Sequence, residues 1–476
     1  MKTRWRLACT AGLSGLVLSA GCKVGPDYRR PQVQAPPQYK EALPGGTGWK
    51  RATPADDVDR GDWWTLYQDP LLDELTRQVE FGNQNLKAYE AAYRQATALA
   101  SAAQAALLPQ SSASPQALRA RTSGITSTTR ALQVTASWDV DLWGKVRRQV
   151  ESNRAAAQAS AAQLAAARLS AQADLVSDYF QLRYEDSLGT LLANTVAAYQ
   201  RTLEITRAQY GAGVAARSDV VIAETQLETT QAQLIAVGVS RAQLEHAIAL
   251  LIGKTPGELA LAAAPLAISV PAIPLDLPSV LLERRPDIAQ AERTVAQQSA
   301  LIGVAVAAYY PDVSLSGIFG YAATASGGLI TAANKVWSGA VSGNQFLFDG
   351  GGRAAMVAAA RAAYDESVAN YRQTVLSAFE EVESCLSSLR VLAQEAQAQE
   401  RAVALSRQGV EIALHEYEAG LQSYTAVATA QATELANEEV ELQVRSSRLL
   451  QSVALLKAVG GGWQFRPSVQ PREVHR

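Results

Sequence analysis

The stretch ALQVTASWDVDLWGK, residues 131–145, decides how this chain folds. Leu132, Val134, Ala136, Trp138, Val140 and Leu142 are apolar at every second position, with Gln133, Thr135, Ser137, Asp139 and Asp141 between them. Period two sends the two sets to opposite faces of a strand. Beyond Asp141 and Gly144 the pattern changes. No proline occurs from Gln116 to Thr255, and the sequence is rich in Ala and Gln, both good helix formers. About 60 helical residues at ~1.5 Å each would span ~90 Å, far beyond the mean globular helix of about 12 residues.

The same order of signals occurs twice. Pro109 corresponds to Pro311, Asp141 to Asp349, Tyr210 to Tyr417 and Gly213 to Gly420, with offsets of 202, 208, 207 and 207. Each half reads helix, Pro, strand pair, Asp/Gly turn, long helix, Gly break, second helix. In the second half Val313, Leu315, Gly317, Phe319 and Tyr321 alternate with polar or small residues, and a further run extends from about Lys335 to Phe348. A weaker run near Gln110–Arg121 completes a hairpin in the first half. The long helices carry heptad-like spacing at Leu192, Val196, Tyr199, Leu203, Thr206 and Tyr210, and again at Val375, Phe379, Val382, Leu386, Leu389, Ala393 and Ala396. Asp69-Pro70 predicts an N-cap with Pro at the first helical position, opening a helix to about Leu107. Arg284-Arg285-Pro286-Asp287 predicts another helix start. The fold class is α+β, mainly α, with an internal duplication.

Strands of ~10 residues, apolar on one side and polar on the other, suit a transmembrane β-barrel, although soluble sandwiches look alike. Four strands cannot close a barrel, and lipid does not tolerate open edges. Closure therefore requires several chains. Three would supply twelve strands, but this geometry does not settle the number.

Composition agrees with long, closely packed helices. Of 476 residues 48% are hydrophobic, yet only 7% are aromatic and 18% charged. Forty-three basic against 45 acidic residues exclude a strongly basic nucleic-acid binder. With 32 Gly and 3 Cys, collagen-like and disulfide-stapled classes are excluded too.

The N-terminus reads as an export signal: Lys2, Arg4 and Arg6, then an apolar Leu7–Ser19 too short to span a membrane. Ser19-Ala20-Gly21-Cys22 resembles a bacterial lipobox, which makes Cys22 the lipidation site; the alternative is a cleavage site followed by a free thiol. Lys23 in place of Asp suggests delivery to the outer membrane. The expected divisions are signal peptide 1–21, lipidated extended tether 22–62, first repeat 63–260, Pro-rich connection 261–280, second repeat 281–460 and C-terminal tail 461–476.

The strings GCKVGPDYRRP, WWTLYQDPLLDEL, WDVDLWGK, YGAGVAARSDVVIAETQL, ERRPDIAQAE, FLFDGGGR and YEAGLQSYTAVATAQ together resemble the outer membrane efflux protein family of TolC/NodT type. The resemblance covers nearly the whole mature chain. It implies a homotrimer with a 12-stranded outer-membrane barrel on a periplasmic α-helical tunnel. It also implies a periplasmic adaptor (membrane-fusion) protein and an inner-membrane pump, commonly of the resistance-nodulation-division (RND) class, as partners. By the same resemblance the Gly breaks are the periplasmic tips that close the tunnel and meet the adaptor. Gly211, Gly213 and Gly420 would shape the turns, Ser218 and Ser423 would cap the following helices, and Tyr210, Arg217, Asp219, Tyr417 and Tyr424 would interlock or make contact. Many relatives carry an acidic residue just after the second-half Gly, where Leu421-Gln422 stand here, which speaks against a carboxylate gate. Asp141, Gly144, Asp349, Gly350 and Gly351 mark the barrel-to-tunnel bends.

No catalytic constellation, metal-ligand spacing or cofactor motif is present. LLIGKT at 250–255 lacks the upstream Gly of a phosphate loop. His246 and His415 read as solvated, Cys385 as a small core residue, and Glu380, Glu381 and Glu383 as mostly solvated. The expected function is a passive efflux duct in the outer membrane, in contact with its lipids. A channel for type I protein secretion and a periplasmic coiled-coil lipoprotein are the alternatives.

Overall fold

The computed structural model describes residues 23–33, 36, 39–41, 62–271, 284–324 and 328–461. The signal peptide, Cys22, His475 and most of the C-terminal tail lie outside the described residues. A short 3-10 turn at Trp63–Tyr67 precedes helices α1 (Pro70–Gly82) and α2 (Gln84–Ala105), strands β1 (Gln110–Thr122) and β2 (Ile125–Val140), and helices α3 (Lys145–Gly211) and α4 (Arg217–Leu251). Then follow α5 (Pro286–Ala307), β3 (Asp312–Ala323), β4 (Lys335–Asn344), α6 (Gly352–Glu418) and α7 (Tyr424–Ala458). Both α3 and α6 have 67 residues, and both α4 and α7 have 35. At ~1.5 Å per residue the longer pair span about 100 Å.

The chain divides into two compact units that cut across the sequence repeat. One contains residues 1–33, 89–163 and 287–374; the other contains 34–88, 164–286 and 375–476.

The first unit holds the sheet. It is antiparallel in the order β1-β2-β3-β4, so the two hairpins meet at β2 and β3. Ser123 and Gly124 (φ 52° and 85°) join β1 to β2 in a two-residue turn with both residues left-handed, the geometry whose twist matches the strands. Register sorts the side chains. Ala113, Val134, Phe319 and Trp337 form one cross-strand row, and Trp138, Leu315 and Val341 form another on the same face. Ser112, Thr135, Ile318 and Ser338 lie across the opposite face, as do Ser137, Ser316 and Ala340. β1 matches its expected run to within one residue, whereas β2 begins at Ile125, seven residues before the alternation at Leu132. Pro115 is compatible with β1 because β1 is an edge strand within the chain. The last strand ends at Asn344, so Phe346, Leu347 and Phe348 fall outside the sheet, contrary to the expected run to Phe348.

The second unit is helical. Its core joins Trp63, Trp64, Tyr67, Leu72 and Val79 to Leu175, Val176, Phe180, Ile248 and Leu449. Asp69 caps α1 through the amides of Leu71 and Leu72 (2.9 and 3.2 Å), and its other oxygen accepts the Tyr179 hydroxyl at 2.6 Å. The helix expected to run to Leu107 is broken at Asn83. There Asn83 Oδ1 accepts the Leu86 amide, capping α2, while Nδ2 donates to the Leu251 carbonyl at 2.9 Å. A Cβ on neighbouring Gly82 would lie 1.8 Å from the Ile252 carbonyl oxygen, so only Gly fits this crossing. A buried ionic knot pins the segment after α4. Asp186 binds Arg183 (2.8 Å), Arg241 (2.7 Å) and the Ala264 amide (3.1 Å), and both arginines donate to carbonyls of that segment. The charges of this knot persist in the interior because each is paired.

Most heptad positions are buried or half-buried, but Tyr210, at the end of α3, is exposed. Leu192, Tyr199, Leu203 and Thr206 are buried. The Thr206 hydroxyl folds back on the Thr202 carbonyl (2.9 Å), so a polar residue offers its methyl group to the core.

Partial burial, then the nearby Asp174, raises the Asp178 carboxyl to about 6. Its proton favours the folded state, so stability falls as pH rises from about 4 toward 6. Asp178→Asn should therefore stabilise the protein above pH 6, on the order of 1 kcal/mol after allowing for solvent exposure, and be neutral near pH 4. Thermal melts at the two pH values read this directly; a constant difference would refute it.

Candidate functional site

Two turns, one in each half, are built alike. At the end of α3 the Gly213 amide donates to Tyr210 O (2.9 Å) and the Val214 amide to Gln209 O (2.9 Å). At the end of α6 the Gly420 amide donates to Tyr417 O (3.0 Å) and the Leu421 amide to Glu416 O (2.8 Å). Gly213 and Gly420 take φ of 76° and 72°, the left-handed cap that ends a helix with its carbonyls satisfied. Gly211 is instead the last residue of α3. Ala216 and Ser423 occupy the next N-cap positions. The expected cap, Ser218, thus lies inside α4. Ala216 has no side-chain acceptor, and Asp219 compensates by accepting the Ala216 amide at 3.3 Å. Ser423 makes no side-chain cap bond.

The tyrosines divide by environment. Tyr417 and Tyr424 are buried, meet edge to face at 5.6 Å, and pack with Tyr199, Leu203, Ala223, Leu227 and Val427. Burial raises the Tyr424 phenol to about 12. Tyr210, Arg217, Gln422 and Ser423 are exposed, as are Val214 and Leu421 at the turn apices. Bonds that sequence reading did not identify hold the turns. Arg207–Glu224 (2.6 Å) joins α3 to α4, Arg407–Glu438 (2.5 Å) joins α6 to α7, and buried Gln431 donates to Thr202 (3.2 Å) between the two hairpins. Each ion pair straddles its turn, a symmetry visible only once the turn centres are known.

The two bends are also alike. Asp141 accepts the Val146 and Arg147 amides (3.0 and 2.9 Å) and the Arg147 guanidinium (3.0 Å). Asp349 accepts the Gly351 and Arg353 amides (3.1 and 3.0 Å) and the Arg353 guanidinium (2.6 Å). Each carboxylate thus sits on the positive end of a 67-residue helix. The Arg353 side chain, then its amide, holds the Asp349 carboxyl below the usual range. Gly144, Gly350 and Gly351 all have positive φ. At Gly144 a Cβ would also lie 3.1 Å from Lys23 Cα.

Beside the first bend, Arg148 is fully buried. It binds Val24 O, Gly25 O, Asp27 and Glu151 at 2.9–3.1 Å. Lys23 reaches the same Glu151 (2.5 Å), and Tyr28 donates to Glu292. The segment after Cys22 is therefore held along the protein, with no helix of its own. In the second unit Glu380 and Glu381 of the acidic cluster are exposed, as expected, and Glu383 is half-buried. Glu381 binds Arg285 (2.6 Å), and Glu383 accepts the Lys40 and Glu41 amides (2.7 and 3.1 Å). Among the described residues no group of His, Cys, Asp and Glu could hold a metal ion. His246 and His415 are exposed. Cys385 is buried, and burial pushes its thiol up to about 11.

The sequence matches the profile "Outer membrane efflux protein" over residues 75–254 and 277–461. This chain belongs to the outer membrane efflux protein family. It is 31% identical to nodulation protein T of Rhizobium leguminosarum bv. trifolii, covering 86% of this chain and 87% of that one. It is 28% identical to the probable efflux pump outer membrane protein TtgC of Pseudomonas putida, covering 97% and 96%. Its fold matches the outer-membrane channel OprN with a TM-score of 0.83 at 30% identity, over 93% of this chain and all of that one. It matches the open MtrE channel of Neisseria gonorrhoeae with a TM-score of 0.83 at 26% identity, over 93% and 98%. The efflux protein is thus an outer-membrane channel, with β1–β4 as its barrel strands and the long helices as its periplasmic tunnel wall.

A Cβ on Gly213 or Gly420 would meet no atom within 4 Å, so only backbone conformation resists a side chain there. Gly213→Ala and Gly420→Ala should each destabilise their turn by about 1 kcal/mol, and Gly→Asn by less. Amide exchange confined to the turn should accelerate about fivefold; global destabilisation or no change would contradict this.

Proposed function

We propose that three copies of this chain form the passive exit duct of a tripartite efflux system. The observation that carries this reading is the sheet: four strands, one face of apolar rows, and unpartnered outer edges on β1 and β4 within the chain. Joining β4 of one copy to β1 of the next satisfies both edges, and three copies give an even-numbered barrel of twelve strands. Two repeats, 63–260 and 281–460, offset by about 207 residues, then form a third of the wall. Exposed Val221, Ile235 and Val239 on α4 support burial against other chains.

Energy comes from an inner-membrane RND-type pump, reached through a periplasmic adaptor; the duct needs no cofactor and performs no catalysis. Relatives are named for toluene, antibiotic and cation efflux at 26–28% identity. Such spread supports a duct that leaves cargo selection to its pump. An acyl chain on Cys22 adds a membrane anchor beside the held segment that follows it.

The tips, with Tyr210, Gly211, Gly213, Arg217, Asp219, Tyr417, Gly420, Gln422, Ser423 and Tyr424, act as gate and adaptor contact. Their exposed apices carry Val214 and Leu421 rather than carboxylates. Asp219→Ala removes the cap of α4, worth about 1 kcal/mol, and Arg217→Ala removes an exposed charge beside it. Either change should raise the conductance of reconstituted trimers and antibiotic uptake by cells; unchanged values would sink the gating role. For the duct itself, deleting the gene should sensitise cells to a subset of toxic compounds, and plasmid-borne wild type should restore resistance. Heat-resistant trimers should appear in outer-membrane fractions, and their absence would overturn the assembly.

A further inference from the structure

The sheet face that carries Leu132, Val134 and Trp138 does not stay apolar. Register continues it toward the Ser123-Gly124 turn through Ala117 opposite Arg130, Arg119 opposite Thr128 and Arg121 opposite Thr126. Lys335 ends the same face on β4, through Tyr321 and Leu132. Counting from Val140 at ~3.4 Å per residue and a tilt of ~40°, Arg130 stands about 26 Å along the barrel axis, with Arg119 about 5 Å and Arg121 about 10 Å beyond. An outer-membrane barrel has an apolar band about 25 Å tall. The three guanidinium groups therefore begin where the hydrocarbon ends, at the end of the sheet away from the helices.

These cations have no internal counter-charge. The sequence has no Asp or Glu between Glu90 and Asp139, nor between Asp312 and Asp349. Arg119, Arg121 and Arg130 are exposed and pair with no carboxylate among the described residues. Lys335 lies 5.2 Å from the centre of the Phe319 ring, its stem along the apolar face. The arginines at the bends and in the helical core are held differently: Arg147, Arg148, Arg183, Arg241 and Arg353 all meet carboxylates. A cluster left unpaired at headgroup depth needs an external anion, and a guanidinium fork fits phosphate.

We propose that Arg119, Arg121 and Arg130 bind the phosphates of a phosphorylated glycolipid, of lipid A type, in the outer leaflet. The proposal rests on the barrel reading, which turns this face to lipid. The outer leaflet is the side on which the Ser123-Gly124 turn emerges, and charge complementarity selects an anionic headgroup there.

Native mass spectrometry of detergent-purified trimers tests this with bisphosphorylated lipid A, dephosphorylated lipid A and phosphatidylglycerol. Wild type should retain bisphosphorylated lipid A and lose it on dephosphorylation. The triple variant Arg119→Gln/Arg121→Gln/Arg130→Gln should bind about 100-fold more weakly, at roughly fivefold per basic residue. Its trimer should stay heat-resistant, because these side chains face away from strand pairing. Equal retention of the dephosphorylated lipid by wild type, equal binding by the variant, or equal retention of phosphatidylglycerol would overturn the assignment. The two lipid A arms on wild type decide the matter even if the variant does not assemble. Failure of the wild type itself to form trimers would instead strike the barrel reading, and this proposal with it.

Discussion

Inside a bilayer a peptide group has no water to bond, so every strand N–H and C=O must find a partner in protein. This chain supplies four strands and leaves two edges. Much else follows from that shortage. The strands must alternate apolar and polar residues because one face meets lipid and the other a lumen. The sequence must lack carboxylates between Asp312 and Asp349, where strand faces meet hydrocarbon, and resume them at the first helical cap. The duplication supplies two hairpins, and β2 with β3 stitches them into one sheet.

The second demand is to start and stop very long helices at chosen places. A helix of 67 residues has no internal reason to end, so both ends are marked chemically. Asp141 and Asp349 start α3 and α6 by taking up orphan amides, and Gly213 and Gly420 stop them by entering left-handed conformation. The matched lengths of the two pairs show that both halves measure the same distance. Small residues at heptad positions and hydroxyls folded onto their own helix, as in Thr206, keep polar chemistry from separating the helices.

Charges are handled in two ways. Where the helical parts bury charges, they pair them, as in Arg148 with the N-terminal segment and Asp186 with two arginines. These pairings tie irregular chain to helix, supplying donors to carbonyls that no helix satisfies. On the sheet the cations are left open to the surroundings. The same residue type thus serves as internal strut or external ligand according to whether a carboxylate is near.

Much of this was legible in residues 131–145 and their counterpart. Period two, the switch at Asp141, the glycine stops and the offset of about 207 residues are local or repetitive, and local signals survive without a fold. Three things were not. The break at Asn83 arises because Gly82 crosses the backbone of Ile252, a contact between residues far apart in sequence. The capping of α4 passed from Ser218 to Asp219 because the helix starts two residues earlier than its sequence suggests, with Ala216 at the N-cap. The engagement of Glu381 and Glu383 by Arg285 and the tether depends on chain paths that no periodicity encodes. Sequence alone determined which stretches are strand and which are helix, and where the two longest helices start and stop, because those choices depend on neighbours within a few residues. Only the tertiary structure decided which polar groups meet, because a hydrogen bond requires two atoms within about 3 Å, and folding alone brings distant residues that close.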